Sequence, residues 1–237
     1  MKLFLYLFLI FSAVELFPQT DSTEVDYDYF SVTLRDKSLV VWTEDGEKLF
    51  SQNFENPVFT TAAFDSANVD EYVIIDYKIL DQKKDYSIYI YNTLDTFYCI
   101  DSIRSGFYEP SVYFSEEVKQ NVIITGNSKF NEFNIGKEDI SLPINVWRYF
   151  ENGIVKINDQ IYDLFQSEND NLINYLDEFY VSNNKDCNSS MQLNNAIASG
   201  YINYISAGEL AVANQFLLKY YLCSDIDSFK KKLEKLL

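Results

Sequence analysis

Residues 86–91 read YSIYIY, and a strand of that sequence has no polar face. Successive side chains of a strand point to opposite sides, so Tyr89 and Tyr91 share one face with Ser87, while Tyr86, Ile88 and Ile90 share the other. Two apolar faces are the mark of a strand packed between neighbouring sheets. The competing arrangement is an exposed tyrosine-rich binding surface, which the 19 Tyr and 19 Phe of the chain make conceivable.

The same vocabulary runs from Tyr29 to about Phe165. Short runs of Val, Ile, Tyr, Phe and Thr are separated by clusters of Asp, Asn, Gly, Ser and Glu, the pattern of strands joined by turns. Four segments share a strand–turn–strand form: 38–50 (SLVVWTEDGEKLF), 87–99 (SIYIYNTLDTFYC), 121–133 (NVIITGNSKFNEF) and 153–165 (GIVKINDQIYDLF). Asp45-Gly46 in the first is the strongest short-range hairpin signal. Extra strands are expected at 58–64, 72–80, 111–114 and 145–150, with a closing strand available at 172–181.

Above all on SLVVWTEDGEKLF and SIYIYNTLDTFYCIDSI, residues 29–165 resemble blades of WD-repeat or quinoprotein-type β-propellers, whose repeats run to ~40 residues. The Gly-His and Trp-Asp signatures of the former and the tryptophan pattern of the latter are absent. The resemblance implies a propeller-like stack of four antiparallel hairpin units. A plain β-meander or a β-sandwich is the alternative for the same hairpins.

After the polar stretch 182–186 the character changes to Ala, Leu and Lys at helical spacing. The expected organisation is an N-terminal segment 1–19, a β-rich propeller-like domain 20–181 and a helical C-terminal segment 182–237. Helices are expected over 191–205, despite Gly200, over 210–222 behind a Ser206–Glu209 capping box, and from Ser224 onward. In the last, Ile226, Phe229, Leu233 and Leu236 fall on one face, with Lys230, Lys231, Lys232 and Lys235 outside.

Residues 1–14 (MKLFLYLFLIFSAV) carry one lysine and then an apolar run too short to span a bilayer, which needs ~20 residues. The pattern is that of a removed signal peptide, with a buried N-terminal strand or helix as the alternative. It sends the chain to the secretory pathway, periplasm or exterior, with no stable membrane span after removal. In an oxidising compartment Cys187 and Cys223 are paired across the helical hairpin, closing a loop worth ~3–4 kcal/mol. Cys99 is expected as a buried small hydrophobe, and three reduced thiols are the alternative. Asn188-Ser189-Ser190 is a glycosylation sequon, which matters in a eukaryotic source.

The chain contains no histidine and has a net charge of −17. Ser-His-Asp and Cys-His nucleophiles, His-ligated zinc and imidazole switches are therefore excluded, and a field of that sign disfavours nucleic acid. No phosphate loop, dinucleotide fingerprint or nucleophile elbow occurs, so no cofactor is expected. The carboxylate pairs Asp26/Asp28, Asp65/Asp70 and Glu116/Glu117 carry no supporting motif for catalysis. Glu168-Asn169-Asp170-Asn171 and Asp225/Asp227 offer hard oxygens without a calcium loop, so solvated loops or caps are expected there and no metal site.

These readings converge on a non-catalytic secreted binding or scaffold protein with a protein or glycan partner. The alternatives are a carboxylate-dependent carbohydrate-active enzyme and a luminal subunit docking through its helical tail. Intact-mass measurement of the exported protein is expected to show a species that has lost the apolar N-terminus; retention of Met1 refutes the signal reading.

Overall fold

The computed structural model describes residues 22–27, 29–64, 71–94, 96–132, 142–150, 153–182, 187 and 190–237. The expected signal segment 1–19 and the sequon residue Asn188 lie outside the described residues.

Among the described residues twelve strands form three antiparallel sheets of four, each a meander in chain order. The first holds β1 (Ser22–Asp26), β2 (Phe30–Arg35), β3 (Ser38–Thr43) and β4 (Lys48–Asn53). The second holds β5 (Val58–Ala62), β6 (Glu71–Leu80), β7 (Lys83–Asn92) and β8 (Tyr98–Gly106). The third holds β9 (Ser111–Ser115), β10 (Gln120–Gly126), β11 (Ile144–Phe150) and β12 (Gly153–Lys156).

The middle sheet is covered on both sides, as the two apolar faces of β7 require. Tyr72 pairs with Tyr91 and Ile74 with Tyr89 across β6 and β7. These four pack with Phe30, Val32, Leu39 and Val41 of the first sheet. The opposite face, with Val73, Ile88 and Ile90, packs on Ile123, Val112 and Trp147 of the third sheet. Polar links register the layers. The Tyr91 hydroxyl donates to Gln52 Oε1 at 2.8 Å, and Asn121 Nδ2 donates to the Ala63 carbonyl at 2.8 Å.

The first sheet turns a polar face outward, with Glu24, Thr33, Val40 and Ser51 in one cross-strand row and Asp26, Ser31, Trp42 and Lys48 in the next. The third sheet is apolar on its far side as well, where Val122, Ile124, Ile144 and Val146 meet Ile161 and Phe165 of the helical part.

The helical part comprises α1 (Tyr162–Ser182), α2 (Met191–Ser206), α3 (Leu210–Tyr220) and α4 (Ile226–Glu234). Its start is fixed from the sheet. Glu117, in the turn between β9 and β10, accepts hydrogen bonds from the Tyr162 and Asp163 amides at 2.8 and 3.2 Å, placing a carboxylate at the positive end of α1. Where β12 ends, side-chain amides take over the edge of β11. Asn203 Oδ1 accepts the Ile144 N–H at 3.0 Å and Asn158 Oδ1 accepts the Val146 N–H at 2.7 Å. Otherwise both would be buried donors without partners.

Four expectations need correction. The segments 121–133 and 153–165 are not hairpins: β10 runs into the 3-10 turn Ser128–Glu132, and β12 into the 3-10 turn Asn158–Gln160 and then α1. Three sheets therefore replace four hairpin units. The helices begin at Tyr162, so 172–181 supplies no closing strand. The helix caps also differ. Ser206 is the last residue of α2, Gly208 takes φ +83°, and Glu209 precedes α3 without a side-chain cap bond; Asp225, not Ser224, precedes α4. Finally, Cys99 is exposed rather than buried, on the edge strand β8, where its thiol donates to the Asp101 carbonyl at 3.3 Å.

Cys187 and Cys223 form a disulfide with a Cα–Cα distance of 4.6 Å, joining the α1–α2 and α3–α4 connections. Within the helices Phe229 and Leu233 are buried, with Ile226 and Leu236 packed beside them. Gly200 lies under the Phe216 ring: a Cβ there would sit 2.5 Å from Phe216 Cζ. The glycine costs ~1 kcal/mol of helix propensity and lets α3 approach α2.

Two tests follow from this core. Gly200→Ala gains propensity but overpacks, and overpacking costs ~1–3 kcal/mol. A net loss of stability is expected, reversed when Phe216 is also changed to Leu; equal effects in both backgrounds refute the contact. The second test concerns the buried phenols. Burial raises the pKa values of Tyr72 and Tyr91, and pushes Tyr221 up to about 12 with help from Asp225, which accepts its hydroxyl proton at 2.9 Å. The folded state then keeps protons that the unfolded chain releases above its ordinary tyrosine pKa of ~10, so stability falls as pH rises from there through about 12. Urea midpoints that hold constant across that range contradict this.

Candidate functional site

A pocket of about 140 Å³ lies where α1 meets the α2–α3 turn. Tyr162, Phe165, Gln166, Asn169 and Asp170 line it from α1. Their spacing puts all five on one helix face. Tyr204 and Ala207 come from the end of α2, and Glu209 and Val212 from the start of α3. Gly208 makes this possible, since its left-handed backbone re-aims the chain within one residue and brings Glu209 to the wall.

Phe165 and Asn169 are fully buried and form the floor. Tyr162, Asp170 and Val212 are exposed at the rim. Neither polar atom of the Asn169 amide has a hydrogen-bond partner. Tyr204 is close enough to sense it: burial pushes the Tyr204 phenol up, Asp170 adds to the rise, and the Asn169 amide pulls it back. No Lys or Arg lines the pocket, and among the described residues neither Asp170 nor Glu209 has an ion-pair partner.

A second depression, between β8 and β10–β12, is lined by Arg104, Lys129 and Lys156 together with Asp101 and Trp147. Its cations are largely engaged. Arg104 pairs with the buried Asp85 at 3.1 Å, Lys129 donates to the Leu237 carbonyl at 3.1 Å, and Lys156 lies 5.4 Å over the Trp147 ring. Burial, and then Lys129, lower the pKa of Lys156.

Of the carboxylates weighed from the sequence, those among the described residues serve local contacts. Asp28, Asp65 and Asp70 lie outside the described residues. Glu116 pairs with Lys119, and Glu117 holds the start of α1. Asp225 accepts the Tyr221 hydroxyl, and Glu168 to Asn171 lie within α1 rather than in a loop. Among the described residues no three His, Cys, Asp or Glu side chains cluster to hold a metal.

Sequence reasoning missed the pocket. The sequence reads Asn169 and Asp170 as part of a solvated loop or cap and Glu209 as part of a capping box, and Tyr204 carries no signal. The available clue was the row Phe165, Asn169, Leu172, Leu176, Tyr180, a helical apolar stripe with one amide in it. Compared with known protein families, curated proteins and solved structures, the chain matches none.

Proposed function

We propose that the chain is an exported, non-catalytic binding or scaffold module that presents its helical end to a protein partner. The propeller reading enters here in reduced form. Each sheet is a sequential four-stranded meander packed on the next, as successive blades are, and we read the β-part as an open run of three blades followed by helices. The N-terminal signal pattern and the Cys187–Cys223 bridge support export to an oxidising compartment. No described helix is long and apolar enough to cross a membrane.

The observation that carries the reading is the unpaired Asn169 amide at the floor of the pocket. Leaving a buried polar group unsatisfied costs ~1–3 kcal/mol, a penalty that a partner's group removes on entering. Beside the pocket, α3 exposes Leu210 and Leu218 at 59% and 68%, with Leu222 beyond its end at 40%. Exposed leucines suit a protein contact better than a glycan and favour docking through the helical tail.

Carbohydrate hydrolysis is the competing use of Asp170 and Glu209 among aromatic rings. Size weighs against it. About 140 Å³ is well below the ~300–1,000 Å³ of ordinary ligand pockets, whereas a glycosidase must hold the sugars on both sides of the bond.

Asn169→Leu tests the proposal. Filling the slot with an apolar side chain is expected to raise stability in urea by ~1–3 kcal/mol, while the tagged variant loses a partner that the parent chain retains when each is purified from its own source. A destabilised variant, or an identical set of partners, overturns the reading. Oligosaccharide hydrolysis that depends on Asp170 or Glu209 replaces it with the enzymatic one.

A further inference from the structure

The pocket between α1 and the α2–α3 turn has a chemistry more specific than its shape, and the inference drawn from it rests on the reading of that pocket as a binding site. Its walls hold three aromatic rings (Tyr162, Phe165 and Tyr204), two carboxylates (Asp170 and Glu209), one unpaired amide (Asn169) and no cation. The two negative charges share one small concavity with nothing to neutralise them, in a chain already at −17. An anionic ligand would meet repulsion from every side. A neutral apolar ligand would fill the space and leave Asn169 Oδ1 unpaired.

We propose that the pocket takes a single organic ammonium group on a short alkyl stem. The chemistry is that of a lysine side chain of a partner protein or of a free primary alkylamine. An ammonium has three donors and no acceptor, and the pocket supplies acceptors from three sources, Asn169 Oδ1, Asp170 and Glu209. The Tyr204 hydroxyl, which senses the Asn169 amide, is the natural acceptor for its remaining Nδ2–H group. The ring faces of Tyr162, Phe165 and Tyr204 attract the cation and cover its methylenes. The volume matches as well, since about 140 Å³ is close to the ~150 Å³ cavity that admits one benzene-sized molecule. Stem and head group fit together; a second charged group does not.

The experiment is a titration of the full mature chain with n-butylammonium chloride, followed through the Asn169 side-chain amide and the Gly208 and Glu209 backbone amides by nuclear magnetic resonance. Sodium chloride at matched ionic strength is the blank, and n-butanol is the neutral counterpart. Saturable shifts are expected, with affinity for n-butylammonium roughly tenfold or more above that for n-butanol. The Asp170→Asn/Glu209→Gln double variant, changed only at one exposed and one half-buried position, keeps its dispersed spectrum and loses that preference. Nα-acetyl-lysine methylamide distinguishes the sources. Tighter binding than n-butylammonium assigns the group to a protein partner, and equal or weaker binding to a free amine. Equal affinities for n-butanol and n-butylammonium overturn the ammonium assignment while leaving the pocket as a binding site. Saturable ammonium binding that survives in the double variant overturns the assignment of the two carboxylates. If neither compound shifts these resonances, the ammonium proposal and the binding reading fall together.

Discussion

Everything in the β-part depends on the middle sheet having no face that tolerates water. Tyr72, Ile74 and Tyr91 on one side and Val73, Ile88 and Ile90 on the other are buried to completion. Each such side chain is worth ~1.5–3 kcal/mol of transfer free energy, more than the ~0.5–1.5 kcal/mol net of an ordinary neutral hydrogen bond. The requirement passes outward. The first sheet meets it with one apolar face and ends the stack with a polar one. The third sheet does not, because its own strands β10 and β11 are apolar on both sides, and so the helices are needed. The side-chain amides of Asn158 and Asn203 are what make that last junction possible, since a helix cannot complete a strand edge through its own backbone.

This chain of requirements explains what could be read from the sequence. Alternation of apolar side chains located the strands, and the two-faced alternation of residues 86–91 located the layer between sheets. Hairpins were over-read, because β10 and the 3-10 turn after it have the same polar–aromatic texture as a strand and its partner. The last two helices were legible from Phe229 and Leu233 and from the Leu- and Ala-rich run before them. Helix α1 was not, because much of its sequence is Asp, Asn, Glu and Gln, and its buried stripe is interrupted at Asn169. The interruption that hid the helix is also the feature that marks the pocket. Cys99 illustrates a different limit: alternation says that a strand exists, but only pairing reveals that it lies at an edge.

The helical end differs from the rest in how its polar groups are used. In the sheets, buried carboxylates are engaged: Glu71 accepts the Phe64 N–H, and Asp85 pairs with the Arg104 guanidinium. Around the pocket, among the described residues, neither carboxylate has an ion-pair partner and a buried amide lacks a hydrogen bond. Among the buried side chains with an unpaired polar atom, Asn169 is the one whose amide lacks partners at both ends, and it lies where three helical elements meet and the left-handed Gly208 turns the chain.

The polar outer face of the first sheet gives the molecule two unlike poles. At one pole lie hydroxyls and charges around a partly exposed Trp42, much as a terminal repeat closes a solenoid; at the other are the pocket and the exposed leucines of α3. A label, fusion or solid support attached through β1 to β4 would therefore stand farthest from everything the molecule offers to a partner. Attachment through α3 would mask it. A chain fixed by one pole holds the other out, with three stacked sheets as the spacer.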